Sequence, residues 1–291
     1  MTICIGLIPN DKTVMLMQDS EVTYEGIGFT QDIVDKIKQV NNEVIAGVIG
    51  IPHLANEVLE HISGKQYKNA KELRDFTEEA YHAVREEKLV KGVLRKYGFR
   101  NIREVTQPPK EVTIDQAVRD EILRAANDYP LSLMLATTLD HPQLYLINQP
   151  GRGHFENNMK LYLVSGSGSV MAIDKMGEEL ERYRWQPKLS IDEGIDVLLR
   201  AGKASEKHQG VGGPFDITYI TQSEDGKNKV VKPGQKKINM VMYLFPLSID
   251  EKIMMEVIAR MRDEKVTAEE LAGYIKANTK VGIEFDNYFR L

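Results

Sequence analysis

A chain of 291 residues, 42% hydrophobic and 28% charged, has room for one large globular domain or two ordinary ones. Its net charge of −5 exerts no pull towards nucleic acid or an anionic membrane, and no apolar run approaches the roughly 18 residues of a membrane span. The single cysteine, Cys4, excludes an internal disulfide and a cysteine-based zinc site and fits a reducing cytoplasm, and the N-terminus lacks the basic region of a secretory signal.

Residues 2–8 (TICIGLI) and 13–18 (TVMLMQ) read as two strands joined by a tight turn at Pro9-Asn10-Asp11-Lys12. A second pair, GFTQDIVDKIKQV and EVIAGVIG, flanks Asn41-Asn42, so the first 50 residues predict four strands in an antiparallel sheet. Pro52 opens a helical stretch with Leu54, Val58 and Ile62 on one face, and a second long helix follows Gly64 with Leu73, Phe76, Ala80 and Val84 aligned. Both signs of charge are interspersed from Lys65 to Arg119, the pattern of solvated helix faces. Beyond Pro108-Pro109, TIDQAVRDEILRAAND predicts a further helix with Thr113 as its cap.

Strands resume with LSLMLATTL, QLYLINQ and NMKLYLVSGSGS. Two helices follow, SVMAIDKMGEELERY and SIDEGIDVLLRAGKASEKH, the second with Ser190 and Glu193 at capping-box spacing. FDITYIT and VVKPGQKKINMVMYLF read as strand, and the remainder as helices capped by Ser248 and Thr267. Adjacent hairpins interrupted by helix pairs predict an α+β fold, a four-layer αββα sandwich of two antiparallel sheets. The expected organisation is a main domain over residues 2–246 with a helical insertion around 85–130, then a C-terminal helical extension over 247–291.

Thr2 is the first candidate for chemistry. Removal of Met1, which is easy before a small residue, would put a free amine on the residue that carries a hydroxyl, and such an amine can act as base for its own side chain. Asp19 lies where the first hairpin returns beside Thr2, Lys36 lies in the predicted third strand, and Gly166–Ser169 (GSGS) forms a strand-to-helix turn open to close backbone approach. A lysine beside the amine keeps it neutral by like-charge repulsion, and a carboxylate keeps that lysine charged and oriented. Other readings of GSGS fail: position 171 is Met, so the dinucleotide fingerprint lacks its third glycine, and Ser167 does not sit in G-x-S-x-G. The six histidines show no metal-binding spacing, so neither metal nor cofactor is expected.

In TICIGLI…TVMLMQDSEVTY, DKIKQVNNEVIAGVIG, LYLVSGSGS and GGPFDITYIT, the chain resembles β-type proteasome subunits, and more closely the bacterial two-component proteasome-like peptidases. The likeness spans roughly residues 2–51 and 131–245 and implies an N-terminal nucleophile hydrolase fold, a ring of like subunits and threonine peptidase activity on polypeptides. An ATP-dependent unfoldase partner goes with that expectation. By the resemblance Thr2 is the nucleophile, Asp19 and Lys36 its charge partners, Ser167 and Ser169 hydrogen-bonding groups around the amine, and Gly47 the oxyanion donor. Thr23 and Gly47 would pair with an extended substrate. Val22, Val34, Lys38, Ile45 and Ile49 would line the pocket for its side chain. The likeness departs at KHQGVGG, where His208 stands for an aspartate and Val211 for a serine. A scaffold or peptide-binding subunit, and an amidase or transpeptidase, are the alternatives.

Overall fold

The computed structural model describes residues 2–23, 30–33, 35–50, 52–108, 113–127, 131–147, 161–184, 188–208, 211 and 214–289. The first hairpin, β1 (Ile3–Asn10) and β2 (Thr13–Asp19), is buried along nearly its whole length. It therefore reads as two apolar runs rather than as an alternation. A short hairpin of β3 (Glu21–Thr23) and β4 (Thr30–Ile33) follows, then β5 (Ile37–Asn41) and β6 (Val44–Gly50). Two helices, α1 (Pro52–Ile62) and α2 (Ala70–Gly92), lead to a short turn of 3-10 helix (Leu94–Tyr97), α3 (Arg103–Thr106) and α4 (Gln116–Asn127). Strands β7 (Leu131–Thr137), β8 (Gln143–Ile147) and β9 (Tyr162–Gly166) precede α5 (Ser169–Arg182) and α6 (Ile191–Ser205). The chain continues through β10 (Phe215–Gln222), β11 (Asn228–Val231), α7 (Gln235–Leu244), α8 (Glu251–Arg262), α9 (Ala268–Asn278) and α10 (Ile283–Phe289).

The fold is α+β with two antiparallel sheets, of order β11-β10-β2-β1-β9 and β5-β6-β7-β8, beside the β3-β4 ribbon. Strand alternation sorts the core. Ile3, Ile5 and Leu7 of β1, Met15 and Met17 of β2, and Phe215, Ile217 and Tyr219 of β10 pack with α5 to α10 in one apolar cluster. The opposite faces, with Cys4, Leu16 and Ile220, meet Ile45 and Ile49 of β6 and Met134 and Ala136 of β7 between the sheets. Val44, Ala46 and Val48 turn the other way, onto α1 and α2. Residues of α2, α3 and α4 form a separate small cluster around Leu89, Leu94, Val105 and Ile122.

Several local expectations are corrected. The first four predicted strands do not share one sheet: β1-β2 belongs to one and β5-β6 to the other. Hairpins fix local pairing but leave open whether two of them join edge to edge or face to face, and here inter-sheet burial of Cys4 and Leu16 against Ile45 decides. Residues Gln235–Leu244, read as strand, form α7, which starts behind Pro233-Gly234. Its apolar run INMVMYL suits either structure by pattern, and packing of Ile238, Val241 and Met242 in the helix-layer cluster selects the helix. Asp115, not Thr113, accepts from the Ala117 N–H at the head of α4, and Asp250, not Ser248, caps α8. The capping boxes at Ser190 and Thr267 are formed.

Candidate active site

One end of the five-stranded sheet gathers the start of β1, the end of β2, the end of β9 and the start of β10. Ile3 stands opposite Gly166, and Asp19 opposite Phe215. Lys36 immediately precedes β5 in the facing sheet, rather than lying within a strand, and Ile37 pairs with Gly47. Thr2 therefore meets Asp19, Lys36 and Ser167 although they come from distant parts of the chain.

The contacts are direct. Lys36 Nζ donates to Thr2 Oγ1 at 2.6 Å, and that hydroxyl donates to Asp19 Oδ1 at 2.7 Å. Asp19 Oδ1 also accepts from the Ile3 N–H at 2.7 Å, while Asp19 Oδ2 lies 3.4 Å from Lys36 Nζ. The two charged side chains are enclosed, with 6% and 0% exposure. Burial pushes the Asp19 carboxyl above its usual range; the Lys36 ammonium, the Ile3 N–H and the Thr2 hydroxyl draw it back. On the other side, the Thr2 N–H donates to Ser167 Oγ at 3.2 Å, and the Ser167 N–H donates to the Thr2 carbonyl at 2.9 Å.

Glycine is required twice around this arrangement. Gly166 has φ +117°, and a Cβ there would fall 2.0 Å from the Thr2 carbonyl oxygen. Gly47 lies at the centre of β6, and a Cβ would fall 2.5 Å from Cys4 Sγ. Packing thus demands a glycine at 47 independently of any oxyanion role. Burial pushes the Cys4 thiol far above its usual range, so this sulfur serves as core and not as nucleophile.

The remaining expected residues scatter more widely. Ser169 opens α5, half-buried, and no hydrogen bond joins it to Thr2 among the described contacts. Val22 and Thr23 lie in β3, whose side chains are outside the described residues, as is Val34. Lys38 is half-buried in β5, opposite Ala46. Ile45 and Ile49 sit in the inter-sheet core on the same side of β6 as Gly47. His208 ends the turn after α6, its N–H donating to the Ser205 carbonyl at 2.9 Å and its carbonyl accepting from the Val211 N–H at 3.1 Å. Val211 is buried, and its Cγ2 lies 3.0 Å from where a Gly168 Cβ would be, so it closes the space behind the Ser167 turn.

Two buried polar residues near this end were not singled out from sequence. Gln18 donates its amide to the Val48 carbonyl. Asp216, opposite Gln18 on β10, is 4% exposed. Each is a polar residue in an otherwise apolar strand, and no local pattern marks it as buried. Among the described residues no helix is long and apolar enough to cross a membrane, and no cluster of three His, Cys, Asp or Glu side chains could hold a metal ion. In comparison with known proteins, no family model and no curated sequence matches this chain.

Proposed function

We propose that this protein is a threonine peptidase of the N-terminal nucleophile class, built on the αββα sandwich of that class and acting through Thr2 once the Met1–Thr2 bond is cut. The observation that carries the reading is the position of Thr2 Oγ1 between Lys36 Nζ at 2.6 Å and Asp19 Oδ1 at 2.7 Å. An ammonium that close stabilises negative charge developing on the hydroxyl oxygen. The resemblance to proteasome-like peptidases supports the same assignment.

The chemistry follows from the groups. The freed α-amine of Thr2 takes the hydroxyl proton while Oγ1 bonds to the carbonyl carbon of a substrate amide. The tetrahedral oxyanion is received by a backbone N–H, for which Gly47 is the candidate. Collapse breaks the C–N bond, and the leaving amine carries away the proton. Water then attacks the resulting ester with the same amine as base, freeing the acid and returning a proton to Oγ1. Lys36 keeps the amine neutral at working pH, and Asp19 keeps Lys36 charged. An enclosing ring would restrict entry to unfolded chains, delivered by an ATP-driven unfoldase.

The test combines intact mass with an epoxyketone, which reacts with a hydroxyl and an amine on one residue. The expected result is loss of Met1 and a single adduct that disappears in Thr2→Ala with the fold retained. A second reading, a ring scaffold without turnover, draws on Val211, whose apolar side chain fills the space behind the Ser167 turn. A retained Met1 and no adduct would select the scaffold. An acyl product formed with an added amine would select a transpeptidase.

A further inference from the structure

We propose that the cavity where α2 meets α3 and α4 binds a carboxylate carried on an apolar stem. The binding does not depend on the peptidase reading above. Only one of its two sources does, since that reaction would release peptides that end in a carboxylate.

The sequence sets the charge. From Arg85 to Arg103 the chain carries seven basic residues and two acidic ones, although the whole protein has a net charge of −5. Three of these cations are paired: Lys88 with Glu57 at 2.6 Å, Lys96 with Glu121 at 3.1 Å, and Lys91 with Glu87. Arg103 is exposed at the head of α3, and among the described residues no carboxylate lies within 4.0 Å of its guanidinium.

Helical period builds the walls. His82, Arg85, Glu86 and Leu89 recur at the spacing of one face of α2, and all four line a cavity of about 530 Å³. Asn101, Ile102 and Arg103 at the start of α3, with Leu123 of α4, complete the lining. The Asn101 side chain is fixed by Glu104, whose N–H donates to Oδ1 and whose Oε1 accepts from Nδ2, each at 3.1 Å. The turn that presents Arg103 is thereby held in place. Leu89 and Ile102 belong to the small apolar cluster of this region, and Leu123 beside them keeps 37% exposure.

These groups select a ligand. The two guanidiniums outweigh the one lining carboxylate, Glu86, by a single charge, which a singly charged anion balances. A guanidinium fork matches the two oxygens of a carboxylate. An apolar stem laid against Leu89, Ile102 and Leu123 removes their surface from water. The volume lies within the roughly 300–1,000 Å³ of small-molecule sites. Two molecules carry this chemistry: a free alkanoate, and a short peptide ending in an apolar residue.

The experiment is isothermal titration calorimetry of the full chain with octanoate and with acetyl-Ala-Ala-Leu, each against its amide, and with acetate and inorganic phosphate. Saturable binding is expected for at least one of the two stemmed carboxylates. Its amide, acetate and phosphate should each bind about tenfold more weakly or less. Tighter binding of octanoate names a free alkanoate as the source, and tighter binding of the tripeptide names a peptide terminus. Arg103→Gln, an exposed substitution checked for folding by circular dichroism, should weaken the binding about tenfold, with Arg103→Lys in between. Neither carboxylate saturating, equal affinity for acid and amide, or unchanged affinity in Arg103→Gln overturns the inference. If the tripeptide binds while Thr2 proves unreactive towards the epoxyketone, the peptidase reading fails separately and the carboxylate site stands.

Discussion

In the helix layer, Asp196 and Glu179 are surrounded by cations. Arg200 reaches Asp196 through its Nε at 3.0 and 2.9 Å from the two oxygens, Arg182 bridges Asp196 and Glu179, and Lys175 joins from the same helix. At the strand ends, Asp19 is buried just as fully but among the described residues pairs with one ammonium, Lys36, which lies closer to a hydroxyl, 2.6 Å, than to Asp19, 3.4 Å. The first cluster spends its hydrogen bonds on neutralising itself and fastens α5 to α6 and α8. In the second, positive charge is aimed at an oxygen that carries none. Burial without full neutralisation is unfavourable for folding, and sites that perform chemistry are where it is commonly retained.

The widest separation between the two clusters is expected at Lys36. Lys36→Ala leaves Asp19 buried beside no ammonium and should lower stability by about 3 kcal/mol in urea unfolding while abolishing epoxyketone labelling. A variant that unfolds at the wild-type midpoint would show that the two charges do not depend on each other. Next in size is Arg200→Met, which leaves Asp196 with Arg182 and the Tyr183 hydroxyl. It should lower stability by about 2 kcal/mol yet leave labelling per folded molecule unchanged, and a loss of labelling would erase the distinction between the clusters. Ser190→Ala removes the capping box of α6 without touching Asp19 or Asp196, and should lower stability by about 1 kcal/mol with no change in reactivity.

The subtlest contrast is a slope. Burial raises the Asp19 carboxyl above its ordinary range, so its contribution to stability is fully present below the unfolded-state value and is lost as pH rises through the folded-state one. Melting curves should accordingly show wild type losing ground to Asp19→Asn as pH rises above the ordinary carboxylate range. Reactivity should run the other way, appearing only as Asp19 ionises. Parallel melting temperatures for the two proteins across that window would remove the raised carboxyl from the account.

Some of this was readable from residues alone, for local reasons. The β1-β2 hairpin follows from two apolar runs about a short polar turn, and its closure alone brings Asp19 back beside Thr2. The caps at Ser190 and Thr267 depend only on neighbours three residues away. Ser167 was indicated by a small-residue turn, and Gly166 shows why the turn is small: its φ is +117° and the Thr2 carbonyl occupies the space of a side chain. By contrast α7 was misread, because an unbroken apolar run has no period until something packs against it.

The chain by itself determined the hairpins, the helix caps and the presence of a hydroxyl, a carboxylate and a lysine within its first 36 residues. These are fixed by interactions over a few residues. Only the tertiary structure decided that β5-β6 lies face to face with β1-β2, which directs Lys36 at Thr2 and encloses Asp216, Gln18 and Cys4 between the sheets. The reason is physical: whether a side chain on a strand meets water or a second sheet depends on apolar surface contributed by residues far away in sequence, and no local pattern carries that information.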